Sequence, residues 1–351
     1  MTLTCPTLRI CMSILVLGTM LLPVAYAASD EQLECAGKAD NIERLECYDA
    51  LSAARSQAGK PALEAKPPEP PAPAMRSYLT RSWDLDNKDE ELLGEHQSPL
   101  KPHRVSYLIV RTTSETNMQP YSPAHGSVTL PVELDRTEIK FQFSQKARVL
   151  NSVKLNALGI TSFRLWGAYT QQSSWQAFND GNSSPFRETI YEPELILTMS
   201  TGNQSGLKLV NLGYVHQSNG RNKELSRSWN RLYLQGGWES DTWSALLRGW
   251  YRIPEAGGQD DIPDIQDYNG RADVTLRWAP QDGSQIVGLT LRNNLSLGPN
   301  RGFMQLDWAT PVKLNQSAKL HVQITTGYGE TLIDYNFRQT TFGLGVSFRD
   351  W

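Results

Sequence analysis

Tyr214 to Arg231 reads YVHQSNGRNKELSRSWNR, and the alternation around it governs how the rest of the chain is read. Even positions leading into it give Val210, Leu212, Tyr214, His216 and Ser218, an apolar row ending in two polar groups. The odd positions Asn211, Gly213, Val215 and Gln217 are mixed and mostly small or polar. The next segment repeats the pattern, with Asn230, Leu232, Leu234, Gly236 and Trp238 set against Arg231, Tyr233, Gln235, Gly237 and Glu239. A period of two is that of a β-strand, in which residues i and i+2 share a face roughly 6.5–7 Å apart. If the two segments pair as a hairpin centred near Lys223, Asn230 falls opposite His216. His216, Ser218 and Asn230 then lie at the edge of an apolar face, where chemistry on lipid is better served than chemistry on a water-soluble substrate.

The same alternation recurs along the chain. Residues 104–112, 138–149, 157–175, 192–202, 206–218, 228–239, 242–253, 272–279, 285–296, 302–311, 318–329 and 340–351 each read as a strand, a total of twelve. From about Val105 onward no run approaches the eighteen apolar residues of a membrane-spanning helix. An even number of alternating strands with mostly polar turns predicts an all-β protein, a twelve-stranded antiparallel transmembrane β-barrel. Phe342, Leu344, Val346 and Phe348 give the last strand one apolar face, and the chain ends on Trp351. The 10 tryptophans and 13 tyrosines suit aromatic girdles at two membrane interfaces. A soluble sandwich or lipocalin-like barrel is the competing architecture.

Upstream of the barrel the composition changes twice. Met12 to Ala28 is the only long apolar run, and its Ala25-Tyr26-Ala27 ending predicts a signal peptide over residues 1–28. Residues 29–55 hold Cys35 and Cys47, a disulfide candidate in an exported chain. On one straight helix these cysteines would stand about 18 Å apart, whereas a bridge needs Cα atoms within roughly 7 Å. A pairing therefore requires a helical hairpin turning near Gly37-Lys38-Ala39, with Asp40 and Glu43 as a capping box for its second arm. Residues 56–75 carry Pro61, Pro67, Pro68, Pro70, Pro71 and Pro73 and read as a semi-rigid linker. Residues 76–351 are left for the barrel.

A serine becomes a nucleophile when a nearby base takes its proton, and histidine does this near neutral pH. A third group orients the imidazole. Ser218, His216 and Asn230 supply those three side-chain types, although a neutral asparagine stabilises the developing imidazolium less than a carboxylate would.

His216-Gln217-Ser218-Asn219-Gly220-Arg221, followed by Ser226-Arg227-Ser228-Trp229-Asn230-Arg231, resembles the active-site hairpin of the bacterial outer-membrane phospholipase A family. Two further segments carry the same resemblance. One is Tyr169-Thr170-Gln171 with Ser183 to Thr189 and Tyr191-Glu192-Pro193, and the other is Gly327 to Glu330 running into Leu332 to Asn336. Together they cover roughly residues 100 to 351.

The resemblance implies Ser218 as nucleophile, His216 as base and then acid, Asn230 as its orienter, and the Gly220 amide as oxyanion donor. It also implies calcium, held by the Arg221 carbonyl, Ser226 and Ser183 of the partner subunit, and a dimer contact at Gln171. With few carboxylates in the motif, that calcium site is expected to be weak. The implied enzyme is a calcium-dependent phospholipase A of the Gram-negative outer membrane. It would cleave sn-1 and sn-2 acyl esters of phospholipids to lysophospholipid and fatty acid and work as a homodimer. The terminal strand resembles the recognition signal read by the outer-membrane barrel assembly machinery, and no nucleic-acid partner is expected.

Remaining polar residues read as bystanders. His96, His103 and His125 fall in polar stretches and are expected to be solvated, as is the Asp260, Asp261 and Asp264 loop cluster. The alternatives are a non-enzymatic barrel, either channel or inactive homologue, and an envelope-organising protein that binds a partner through the Cys35–Cys47 element.

Overall fold

Leucine and tyrosine on one side of a strand, with arginine and glutamate on the other, suit a sheet whose outside meets lipid and whose inside is polar. That is the arrangement in the computed structural model, which describes residues 34–58, 76–93, 100–256, 258, 260–312 and 315–348. Twelve strands form the barrel. The first six are β1 (Ser106–Thr113), β2 (Thr137–Ala157), β3 (Ile160–Trp175), β4 (Phe186–Ser200), β5 (Gly206–Ser218) and β6 (Ser228–Glu239). They continue as β7 (Trp243–Ile253), β8 (Ala272–Trp278), β9 (Ile286–Asn293), β10 (Gly302–Val312), β11 (Asn315–Gly327) and β12 (Gln339–Phe348). Each pairs antiparallel with its sequence neighbour, and β12 pairs with β1 from Phe348↔Ser106 to Thr341↔Thr113. Closure leaves no edge strand, so backbone polar groups are met within the wall and none need face hydrocarbon.

Side-chain parity follows the sequence reading. Leu212, Tyr214, Leu232, Leu234 and Leu247 are exposed on the outside, while Asn211, Arg231, Asp273, Asp307 and His321 are buried in the lumen. Inside, many charges are paired, among them Arg111 with Glu138 and Glu330, Lys140 with Glu330, and Arg104 with Glu192 and Glu194. His103, expected to be solvated, is buried and bonded to Glu194 at 2.9 Å. A polar stretch looks the same in sequence whether water or a polar lumen receives it.

Two segments fill the barrel. Helix α2 (Tyr78–Trp83) buries Leu79 and Trp83, and the Leu79 N–H donates to Glu239 Oε1 at 2.7 Å. The Lys146 ammonium lies 3.2 Å from the Trp83 ring centroid, and Arg164 donates to the Asp84 carbonyl at 2.6 Å. Helix α3 (Lys88–Leu93) follows it. At the other end, residues 328–338 fold inward and bury Leu332, Ile333, Asp334 and Tyr335. Between the two plugs lies a cavity of about 310 Å³ lined by both polar and apolar side chains. The lumen is therefore occupied at both ends, which opposes the diffusion-channel alternative.

Connections differ in length between the two ends. Residues 158–159, 201–205, 240–242 and 279–285 make short turns at one end, and residues 114–136, 176–185, 219–227, 254–271 and 328–338 make long loops at the other. Outer-membrane barrels keep short turns inside and long loops outside. Exposed Trp238 and Trp243 ring the short-turn end, and Tyr191, Tyr214 and Tyr251 ring the long-loop end.

The chain divides into two compact units, Met1–Ala74 and Met75–Trp351. In the first, a helical turn at 34–36 precedes α1 (Asn41–Ala58), whose start is capped by Asp40 Oδ1 accepting from the Ile42 N–H at 2.7 Å. Cys35 and Cys47 form a disulfide with their Cα atoms 5.6 Å apart. Helix α1 runs to Ala58, three residues into the segment expected to be linker. The expected signal peptide, residues 59–75, His96 and Trp351 lie outside the described residues.

Candidate active site

Strands β5 and β6 meet at the long-loop end and pair in register there: His216 faces Asn230, Gln217 faces Trp229 and Ser218 faces Ser228. Period two puts His216, Ser218 and Asn230 on the outer wall and Gln217 on the lumen side. Gln217 donates to Glu192 Oε2 at 2.8 Å and accepts from Trp229 Nε1 at 2.7 Å, fixing the hairpin from within.

His216 Nδ1 and Asn230 Oδ1 are 2.9 Å apart. The amide oxygen can only accept, so Nδ1 carries the proton and Nε2 is the basic nitrogen. Ser218 lies two residues along the same face, and no hydrogen bond joins its hydroxyl to the imidazole among the described residues. The Tyr214 hydroxyl also donates to Asn230 Oδ1, at 2.8 Å, and Asn230 Nδ2 donates to Glu255 Oε1 at 3.1 Å. Burial raises the Glu255 pKa, neighbouring Asp260 adds to the rise, and Arg252 opposes it. Sequence reasoning passed over Glu255, which stands in a loop 25 residues beyond Asn230.

Gly220 adopts a left-handed conformation at φ +61°, and a Cβ there would lie 3.1 Å from Tyr191 Cε2. Both facts favour glycine. Buried Asn219 shapes this turn. Its Oδ1 accepts from the amides of Arg221 and Arg227, and its Nδ2 donates to Glu188 Oε1 at 3.0 Å and to the Leu225 carbonyl at 2.9 Å.

Arg221 turns its guanidinium to the carbonyls of Phe186 and Arg187, each at 2.8 Å, so its own carbonyl is what it can offer a cation. Ser226 Oγ donates to Asp261 Oδ2 at 2.6 Å, and His125 Nε2 lies 2.7 Å from Asp261 Oδ1. This corrects the solvated reading of that loop. Asp261 and His125 hold each other, Asp260 pairs with Arg252 at 2.5 Å, and Asp264 accepts from the Tyr335 hydroxyl at 2.6 Å. The Ser226 hydroxyl and the Asp261 carboxylate thus meet at one point, and hard oxygen donors of this kind, with a backbone carbonyl such as that of Arg221, are of the type that suits calcium. The carboxylate also makes the set less poor in charge than the motif alone suggested.

Ser183 belongs to a different connection. It is in the β3–β4 loop, left-handed at φ 58°, just after the short turn Asp180–Asn182. Gln171 is on the outer wall of β3 beside exposed Tyr169, whose hydroxyl donates to Gln171 Oε1 at 3.0 Å.

The sequence matches the Phospholipase A1 family over residues 79–348. The chain belongs to the phospholipase A1 family. A relative from Neisseria meningitidis serogroup B is 33% identical across 95% of each chain. The phospholipase A1 of Salmonella typhimurium is 37% identical over 284 residues, 80% of this chain and 89% of the relative. Among solved structures, the outer membrane phospholipase A of Escherichia coli superposes with a TM-score of 0.61 at 33% identity, covering 76% of this chain and 97% of that one. The Salmonella typhi outer membrane phospholipase dimer with bound calcium matches equally, with a TM-score of 0.61, 35% identity and the same coverage. This family member is thus a phospholipase built as a twelve-stranded outer-membrane barrel.

Proposed function

We propose that the chain hydrolyses sn-1 and sn-2 acyl esters of phospholipids to lysophospholipid and fatty acid by a Ser-His-Asn mechanism that requires calcium and dimerisation. The observation that carries this reading is the 2.9 Å bond from His216 to Asn230 on the lipid-facing wall, with Ser218 on the same face. His216 Nε2 takes the Ser218 proton as Oγ forms its bond to the ester carbonyl carbon. The proton then passes to the glycerol oxygen as the acyl–oxygen bond breaks. Water, deprotonated by the same nitrogen, cleaves the acyl-enzyme and releases the fatty acid.

Negative charge on the carbonyl oxygen is met by the Gly220 amide. The positive charge that a bound calcium ion would supply favours the same developing oxyanion. The Arg221 carbonyl, the Ser226 hydroxyl, the Asp261 carboxylate and Ser183 of the partner subunit would hold it. Gln171, a polar amide on an apolar wall, supports an intramembrane contact between two copies, as does the calcium-bound dimer of the Salmonella typhi relative. Dependence on a second copy would keep an enzyme embedded in its own substrate inactive until two meet.

The remaining assignments belong to the same reading. Residues 1–28 serve export, residues 29–58, including all of α1, form a small periplasmic element, the residues after it up to 75 tether it, and 76–351 are inserted by the barrel assembly machinery.

Ester release by protein refolded in detergent, with calcium or with chelator, tests the whole. Turnover is expected with calcium only and is lost in Ser218→Ala. Turnover that survives both chelator and that substitution overturns the reading.

A further inference from the structure

The Asn230 carboxamide has two ends, and the residues around it decide which one meets the imidazole. Its Oδ1 accepts from His216 and from the Tyr214 hydroxyl, and its Nδ2 donates to Glu255 Oε1 at 3.1 Å. An ionised carboxylate only accepts, so it selects the amide nitrogen and sends the oxygen toward the histidine. Turned the other way, the carboxamide would offer N–H to His216 Nδ1. The ring proton would then sit on Nε2, which could not accept from Ser218.

Glu255 is held where this matters. Ile253 pairs directly with Asn230, and Glu255 follows two residues later, on the same side of the chain as it leaves β7. The loop it opens is tied at its base by Arg252, which donates to Asp260 Oδ1 at 2.5 Å and to the Pro263 carbonyl at 2.9 Å. Ser226 ties it again through Asp261. A carboxylate carried by an anchored loop has little ordering entropy left to lose when it engages Asn230.

Resting on the Ser-His-Asn reading, we propose that Glu255 is a positioning residue for this hydrolysis. It acts through Asn230 to hold the His216 tautomer that leaves Nε2 as the base, and it lends the relay the negative charge a neutral carboxamide lacks. The charged groups around it are Asp260 and Asp261 from its own loop and Arg252 from β7, the last already committed to Asp260. The ordered unit is then His216, Asn230 and Glu255, with Ser218 as the nucleophile it serves.

The test compares kcat, KM and the pH profile of phospholipid ester release at saturating calcium in detergent. The proteins are wild type, Glu255→Gln, Glu255→Asp, Asn230→Asp, the double variant Asn230→Asp/Glu255→Gln, and Ser218→Ala. Glu255→Gln is expected to lower kcat about tenfold with KM unchanged and to move the acidic limb of kcat/KM to lower pH, because the imidazolium loses its distant counter-charge. Glu255→Asp should recover part of the loss. In the Asn230→Asp background a carboxylate already accepts from His216, so Glu255→Gln should cost nothing further. Wild-type kcat with an unmoved acidic limb in Glu255→Gln overturns the proposal. So does an equal loss in both backgrounds, which would mark a merely structural role. Wild-type turnover by Ser218→Ala would instead overturn the underlying Ser-His-Asn reading.

Discussion

Ser226 Oγ and Asp261 Oδ2 lie 2.6 Å apart, joining the β5–β6 hairpin to a loop 35 residues further along the chain. The bond places a carboxylate against a hydroxyl read as a calcium ligand. Asp261→Asn is therefore expected to raise the calcium concentration for half-maximal ester release about tenfold while leaving the rate at saturating calcium nearly intact. A calcium titration of turnover checks this. An unchanged midpoint would confine Asp261 to bracing the loop.

Gly220 is constrained by both backbone and space. Gly220→Ala puts a methyl 3.1 Å from Tyr191 Cε2 at a φ of +61° that residues with a Cβ rarely adopt, and the backbone is expected to relax away from it, taking the amide along. Losing one oxyanion donor costs roughly 10²-fold in kcat. Steady-state kinetics should show that loss with KM changed little. Normal heat-modifiability on gels would confirm that the barrel is intact.

Gln171 lies on the outer wall, where a polar amide in hydrocarbon is unfavourable even with its Oε1 accepting from Tyr169. Gln171→Leu is expected to weaken self-association by about 1 kcal/mol, roughly fivefold in the dimer constant. Sedimentation in detergent reads the constant directly. Ester release at low protein concentration should fall in parallel and recover when the protein is concentrated.

Glu330 holds two buried cations, Arg111 and Lys140, from the loop that enters the lumen. Glu330→Gln strips both of this anion, and breaking a buried pair in this way costs about 3–5 kcal/mol. A lower midpoint for urea unfolding of the refolded barrel is the expected result. Replacing Lys140 by Met in the same chain should recover part of the loss, since one stranded charge then disappears.

Planar bilayers test the plugs. Helix α2 fills one end of the lumen and residues 328–338 the other, so the intact protein should show no steady conductance. Sustained ion current would return the barrel to the channel class.

The sequence by itself determined the wall. Period-two alternation shows where Leu212, Tyr214, Leu232 and Leu234 face, because a strand offers only two sides and lipid accepts only one kind. The same parity put His216, Ser218 and Asn230 outside, and a two-residue step with an opposing strand was enough to bring the imidazole to the amide. What filled the barrel was not legible. His103 beside Glu194, and the α2 segment over Lys146, are polar or short stretches whose burial depends on a lumen that exists only once twelve strands have closed. Glu255 and Asp261 stayed hidden for a related reason. Each sits in an irregular loop with no period to read, and its partner is chosen by strand register and loop anchoring. Local alternation thus set the positions of Ser218 and His216, while the tertiary structure alone brought carboxylates to Asn230 and Ser226, because only chain closure brings distant loops to one rim.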